Sequence, residues 1–343
     1  MTYEVTIGIP VYNVEKYIRE SLDSALTQTF PYIEFLICDD CGTDSSISIV
    51  QDYQKAHPRG KDIRIVRQPR NMGLGCARNR MIAEAKGKYI FFMDSDDLLS
   101  QNTIELLYEQ AQKYDADMVL GSMEKVLLYD NGRHIKNIDY NYQVFLHENE
   151  FASWVYEKYD RLQASTCNFL IKLDVYLQNG IQYKPINYWE DFTTTMDLPT
   201  YVTRVVMLPD VTYHYMCRTD SMSNYQQRDL IQKEEILQTM EAVTMIKNNS
   251  ERIQFKPYFS ERMLKVMMTC FYICCTILKN WEKISPNFEK KELRDFMKYP
   301  ISFSRVLSFK SHLCPHFFLY ILGVIPPSIS FFVLRLMVLF KHI

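Results

Sequence analysis

The uncharged run Tyr89-Ile90-Phe91-Phe92-Met93 ends abruptly in Asp94-Ser95-Asp96-Asp97. Its length and its aromatic, β-branched content are those of a buried strand. Gly87, just before it, is expected to stop a preceding helix. In an open α/β sheet, ligands bind beyond the carboxyl ends of the strands. Asp94 and Asp96 are therefore expected at such an end. Two carboxylates this close repel unless a cation lies between them. Hard oxygen ligands suit Mg²⁺ or Mn²⁺, and Mg²⁺ is commonly held by one or two carboxylates plus substrate phosphates. The chemistry this implies is a metal–diphosphate site. The same aspartates also suit the start of a helix near Ser100, because Asp caps helices well.

Positioning such a site requires a sheet, and the N-terminal third supplies its pattern. Thr6 to Pro10, Phe35 to Cys38, Ile63 to Val66, the run at 89–93 and Met118 to Leu120 read as strands. Between them, Ile18, Leu22, Ala25 and Leu26 fall at helical spacing, with Asn13 as the expected N-cap. A helix follows Ser45, and 77–85 and 104–114 are helical. This alternation predicts a doubly wound, mainly parallel sheet. No Gly-x-x-x-x-Gly-Lys loop is present, and no Gly-x-Gly-x-x-Gly follows the first strand. Bound phosphates would therefore need a cation, which returns weight to Asp94 and Asp96.

The whole chain narrows the class. It has 343 residues, 47% hydrophobic and 23% charged, with a net charge of −2. Such a composition forms a core, and without a basic excess a broad nucleic-acid surface is not expected. Of its nine cysteines, Cys38 and Cys41 have the spacing of half a zinc site, but no second pair matches it. Cys38 reads better as core, and Cys270, Cys274 and Cys275 as small hydrophobes in an apolar helix. The opening Met1-Thr2-Tyr3-Glu4 has no secretory pattern, so a cytoplasmic setting is expected.

Five motifs occur together and in order: Pro10-Val11-Tyr12-Asn13, Ser24 to Phe30, Asp39-Asp40-Cys41-Gly42-Thr43-Asp44-Ser45, Asn71-Met72-Gly73 with Ala77-Arg78-Asn79, and Asp94 to Asp97. Over about the first 125 residues the chain resembles the family 2 glycosyltransferases of the GT-A fold. These are inverting enzymes that use nucleotide-sugar donors. The resemblance implies that Pro10, Tyr12 and Asn13 wall the nucleotide pocket, with Tyr12 near the base. Asp39 would accept a hydrogen bond from the base, uracil being commonest, with Asp40 beside it. A turn aspartate is the plainer reading of Asp39. Arg78 would lie near the donor diphosphate or hold the loop, or be a solvated helix arginine. Asp94 and Ser95 would meet the donor, and Asp94 and Asp96 the metal. One departure stands out: the family's usual Gly-Ser after the paired aspartates is Cys41-Gly42 here.

Further on, Trp189-Glu190-Asp191-Phe192 matches the family's Glu-Asp pair, which makes Asp191 the implied general base. Alternatively, the two acids simply open the helix that carries Phe192. Tyr213 to Ser223 resembles the family's Tyr-Arg-Ser segment, giving Arg218 and His214 as candidates for the diphosphate; His214 also reads as a packed residue. The predicted organisation is a catalytic domain over 1–225 (nucleotide half 1–125, acceptor half 126–225), a helical extension over 226–312 and an apolar tail over 313–343. Residues 129–150 are expected to form a loop or hairpin over the active site, and Met263 to Leu278 a helix buried against the catalytic domain. Leu313 to Ile325 and Ile329 to Phe340 are each too short to span a bilayer. With Lys310, His312, Arg335, Lys341 and His342 nearby, they are expected to lie in a membrane interface, with a packed helix pair as the alternative. The expected partners are thus a nucleotide sugar, a glycan or lipid-linked acceptor and the inner face of a membrane.

Other classes fit less well. A phosphoryl-receiver module carries its acidic pair on the first strand, whereas here it follows the second. A nucleotidyltransferase would show a basic Gly-rich loop where Tyr12-Asn13 stands. A non-catalytic sugar-nucleotide binder would have no need of Asp94, Asp96 and Asp191 together.

Overall fold

The computed structural model describes residues 2–129, 132–158, 164–217 and 230–340. Strands β1 (Val5–Val11), β2 (Ile33–Asp39), β3 (Ile63–Arg67) and β4 (Tyr89–Phe92) form the parallel half of a sheet, in the order β3-β2-β1-β4. Every residue of β1, β2 and β4 is buried. That explains their unbroken apolar runs: parallel strands carry helices on both faces, so no polar alternation is needed. The helices are α1 (Ile18–Leu26), α2 (Ser46–Ala56), α3 (Leu74–Glu84) and α4 (Thr103–Tyr114), with α5 (Glu150–Glu157) and α6 (Leu173–Asn179) later in the chain. Their core-facing residues include Ile18, Leu22, Ile49, Val50, Ile104 and Leu107.

Beyond β4 the sheet continues through β9 (Phe169–Lys172), β6 (Met118–Tyr129), β10 (Val205–Cys217) and the short β5 (Leu98–Leu99). β9 is antiparallel to both β4 and β6, while β10 runs parallel to β6. The expected hairpin after residue 129 is β7 (Gly132–Ile138), antiparallel to β6, and β8 (Gln143–Phe145) edges β10.

Pro10 shows how the sequence opens this sheet. Gly8 O accepts the Met93 N–H, which closes the β1–β4 ladder. Two residues on, Pro10 faces the same side, past the end of β4, where its missing N–H costs nothing. The strand order also reverses between β1 and β4, and such a switch point is where open α/β sheets leave a crevice.

Two expected signals play other parts. Asn13 does not cap α1, which begins at Ile18; it sits at φ 53° and its Oδ1 accepts the Thr43 N–H. Gly87 does not cap α3, which ends at Glu84. A side chain at Gly87 would reach 2.5 Å from Thr6 N, so only glycine allows that approach.

The chain divides into two compact units, Met1–Phe151 with Asp160–Ser221, and Ala152–Tyr159 with Met222–Ile343. The second is helical. Its centre is α9 (Phe259–Lys279), joined by α8 (Lys233–Asn249), α10 (Lys290–Phe296), α11 (Phe303–Leu307), α12 (Leu313–Val324) and α13 (Pro327–Phe340). Lys247, buried, caps the end of α10 by donating to Phe296 O at 2.6 Å and Lys298 O at 3.0 Å.

The tail helices have partners within this unit. α12 and α13 both pack on α9 and α10. Leu319, Leu322 and Leu334 are buried, and Gly323 lets α12 reach the backbone at Met297, where a Cβ would lie 2.6 Å from the carbonyl oxygen. Their outer faces still expose Phe317, Phe332 and Leu339. No helix among the described residues is long and apolar enough to cross a membrane.

Candidate active site

Three strand ends meet at the crevice. The β1 end delivers Pro10, which is buried, and Tyr12, 44% exposed. The β2 end delivers Asp39 and Asp40, both buried. Asp39 Oδ1 accepts the Cys41 N–H at 2.9 Å, and Oδ2 lies 3.3 Å from the Arg67 guanidinium. Asp40 turns away: its two oxygens accept the Met72 and Gly73 N–H groups, each at 2.9 Å, and so tie down the loop that starts α3. The Cys41-Gly42 departure has a local reason. Cys41 takes the left-handed conformation (φ 62°), and a Cβ at Gly42 would sit 2.9 Å from Asn13 Oδ1. Glycine at the second position thus lets the loops after β1 and β2 clasp.

The β4 end carries the acidic turn. Asp97 N–H closes it on Asp94 O. Asp94 and Asp96 are half-buried, Ser95 buried. Asp97, fully buried, is held by Tyr213 of β10: the Tyr213 hydroxyl donates to Asp97 Oδ2 at 2.8 Å and accepts the Asp94 N–H at 3.1 Å. Asp97 Oδ1 also accepts the Met216 N–H at 2.8 Å. Burial, with the charges of Asp94 and Asp96, pushes the Asp97 carboxyl well above the usual range. Asp97 thus shapes the turn rather than facing a ligand.

Antiparallel β9 brings the segment before it, Thr166 and Cys167, back to the β4 end. Helix α7 (Glu190–Thr195) begins there after Trp189 at φ 64°. Glu190 and Asp191 do open this helix, and they also enter the site. Asp191 Oδ2 accepts the Thr166 N–H at 3.2 Å, while Oδ1 pairs with Arg78 of α3. The Arg78 guanidinium also lies 3.2 Å from both Glu190 and Asp94. The Asp191 side chain stays 18% exposed and that of Asp94 28%, whereas Arg78 is fully enclosed. Burial pushes the Asp191 carboxyl up, and Arg78 pulls it back. Burial and the neighbouring Asp191 push Glu190 up to about 7.

The structure therefore brings Asp94, Asp191 and Arg78 together. It aims Arg78 at carboxylates rather than at solvent or an open pocket. His214 has both ring nitrogens engaged, Nδ1 with Glu124 at 2.9 Å and Nε2 with Ser100 at 3.1 Å. Arg218 lies outside the described residues. Sequence reasoning missed Tyr213, Thr166 and the part of Asp97. The third acid at the strand end, Asp97, was the one visible signal. Among the described residues, no three His, Cys, Asp or Glu side chains cluster to hold a metal alone. The hard-oxygen pair Asp94 and Asp96 fits a cation that takes its remaining ligands from bound phosphates.

Residues 6–176, about half the chain, match the sequence profile of Glycosyl transferase family 2. The chain belongs to this family. Among similar curated proteins, this family 2 chain is 30% identical over 220 residues to a poly(ribitol-phosphate) beta-glucosyltransferase of Bacillus spizizenii. That match covers 63% of this chain and 33% of the relative, so the chain spans only about a third of that protein's length. Its fold matches S. aureus TarS 1-349 solved with UDP-GlcNAc, with TM-score 0.61, 18% identity, 97% of this chain and 91% of that one. It also matches a mannosyltransferase of Pyrobaculum calidifontis solved with GDP-Man and Mn²⁺, with TM-score 0.52, 14% identity, 100% of this chain and 89% of that one. The fold is thus the α/β GT-A architecture with added C-terminal helices.

Proposed function

We propose that this chain is an inverting glycosyltransferase that moves a sugar from a nucleotide diphosphate donor, a UDP-sugar, to a hydroxyl of a glycan or lipid-linked glycan in cell-surface polysaccharide synthesis. The observation that carries this reading is the meeting of Asp191 and Asp94 on one buried arginine at the switch point of the sheet, with both carboxylates still open to solvent.

In this reading the nucleotide lies against Pro10 and Tyr12, with Asn13 in the same wall and Asp39 as acceptor for a ring N–H of the base. A carboxylate there selects a base by hydrogen-bond complementarity. Asp94 and Asp96, flanking Ser95, would hold Mn²⁺ or Mg²⁺, which neutralises charge on the departing diphosphate when bound. Asp191 takes the proton of the acceptor hydroxyl as that oxygen attacks the anomeric carbon. A raised carboxyl pKa brings this base nearer the working pH, and a positioned base contributes about 10²–10⁴-fold in rate. One displacement, with base and leaving group on opposite faces of the sugar, inverts the anomeric centre.

The second unit supports a place at the cytoplasmic face of a membrane. The outer faces of α12 and α13 are apolar, and no Asp or Glu occurs after Asp295, while Lys298, Arg305, Lys310, Arg335 and Lys341 do. Such a surface suits an anionic bilayer.

The test is a panel of nucleotide sugars, scored first for thermal stabilisation with and without Mn²⁺ and then for transfer. Asp191→Asn should keep donor binding while transfer falls about two to four decades. Near-normal turnover in Asp191→Asn would sink the base assignment.

A further inference from the structure

Arg78 is the most enclosed charge of the site. Its side chain has no exposed surface, yet its terminal nitrogens meet three carboxylates from two distant stretches: Asp94 after β4, and Glu190 and Asp191 at the start of α7. Its Nε–H has no hydrogen-bond partner among the described residues. The Tyr183 ring lies 5.5 Å from the guanidinium carbon. One residue further along α3, Asn79 clasps the Tyr183 backbone both ways, its Nδ2 donating to Tyr183 O and its Oδ1 accepting Tyr183 N–H, each at 2.8 Å. A turn earlier, a Cβ at Gly75 would lie 2.4 Å from Lys184 O. Helix α3 is thus held against the segment leading to Glu190, which fixes where Arg78 can reach.

We propose that Arg78 is a positioning residue. It links the carboxylate of the β4 turn to the base on α7 and does not itself contact the donor. The proposal rests on the reading of Asp191 as base. The planar fork of an arginine can hold carboxylates on two nitrogens at fixed angles, which a lysine point charge cannot. Asp191, left with only the Thr166 N–H, would lose the contact that orients its carboxylate. Asp94 keeps a neighbouring cation when lysine replaces Arg78, so the donor side is held while the base loses its fixed partner.

The experiment compares Arg78→Lys, Arg78→Gln, Asp191→Asn and their double variants. UDP binding is measured by calorimetry with Mn²⁺, and transfer by kcat and donor KM. Arg78→Lys should bind UDP within about threefold of the wild type and lose on the order of 10²-fold in kcat, with donor KM little changed. In the Asp191→Asn background it should cost almost nothing further, because the base it positions is already gone. Added to Asp39→Asn, on the nucleotide side, its effect should multiply. A UDP affinity that falls as far as kcat would make Arg78 a donor ligand and overturn the proposal, as would effects of Arg78→Lys and Asp191→Asn that simply multiply. Should Arg78→Gln fail to fold, Arg78→Lys keeps the buried cation and carries the test. Full turnover in Asp191→Asn alone is a separate failure, that of the base assignment itself.

Discussion

His316 offers a quantitative test of how the tail is packed. It lies on α12 with no exposed surface. Its Nδ1 is 2.8 Å from the Tyr299 hydroxyl and its Nε2 3.2 Å from Ser260 Oγ, with the Phe309 ring 4.6 Å away. Burial, helped by the charge of His312, pushes its pKa from 6.5 down to about 4. The folded protein then binds fewer protons here than the unfolded chain between pH 6.5 and 4. Stability must therefore rise with pH across that window and fall on acidification. Lowering the pH from 7.5 to 5 should remove about 1–2 kcal/mol, once solvent screening of the shift is allowed for. Other groups titrate too, so the comparison is with His316→Gln, which cannot gain the proton. Urea unfolding followed through Trp281, which packs on Phe331 of α13, reads this unit. The wild type should lose about 1–2 kcal/mol more than the variant between pH 7.5 and 5. Parallel stability curves would refute the enclosed, neutral histidine and with it the docking of α12.

The opposite faces of the tail should separate cleanly. Leu319→Ala or Leu334→Ala should cost about 2–5 kcal/mol in stability and leave binding to anionic vesicles intact. Phe317→Ser with Phe332→Ser and Leu339→Ser should do the reverse, weakening vesicle flotation at least tenfold with no loss of melting temperature; unchanged flotation would remove the membrane reading. Asp96→Ala should abolish the Mn²⁺-dependent thermal stabilisation by UDP, which for the wild type at a hundredfold excess over Kd is worth about 2.7 kcal/mol. Equal UDP stabilisation with and without metal in the wild type would contradict the cation site. Tyr213→Phe strips a donor from buried Asp97 and an acceptor from the Asp94 N–H, costing about 1.5–3 kcal/mol. That corresponds to a melting shift of roughly 5–10 °C for a unit of this size, and a shift below about 1 °C would show that the acidic turn does not depend on it.

The local signals in this chain were strong where neighbours in sequence decide the outcome. Buried runs such as Ile33–Asp39 and Tyr89–Phe92 can only be covered strands, and the acids that follow them must fall at carboxyl ends. The α/β alternation and the placing of Asp39, Asp94 and Asp96 at strand ends follow from that periodicity and from chain connectivity. What sequence could not reach is pairing across long separations. Arg78 and Asp191 stand 113 positions apart, and Tyr213 and Asp97 116. Neither pair has a spacing that marks it, because a buried charge finds its partner by the folding of the sheet between them. Antiparallel β9, wedged between β4 and β6, sets that geometry by returning Thr166 to the β4 end. For the same reason Arg78 reads on paper as a donor or surface arginine and in space as an enclosed one. The tail shows the same division. Its sequence determined two short apolar helices broken at Pro326-Pro327. Only the presence of α9 and α10 decided that one face of each is core, because hydrophobic burial depends on what surface is near, and that is a property of the fold.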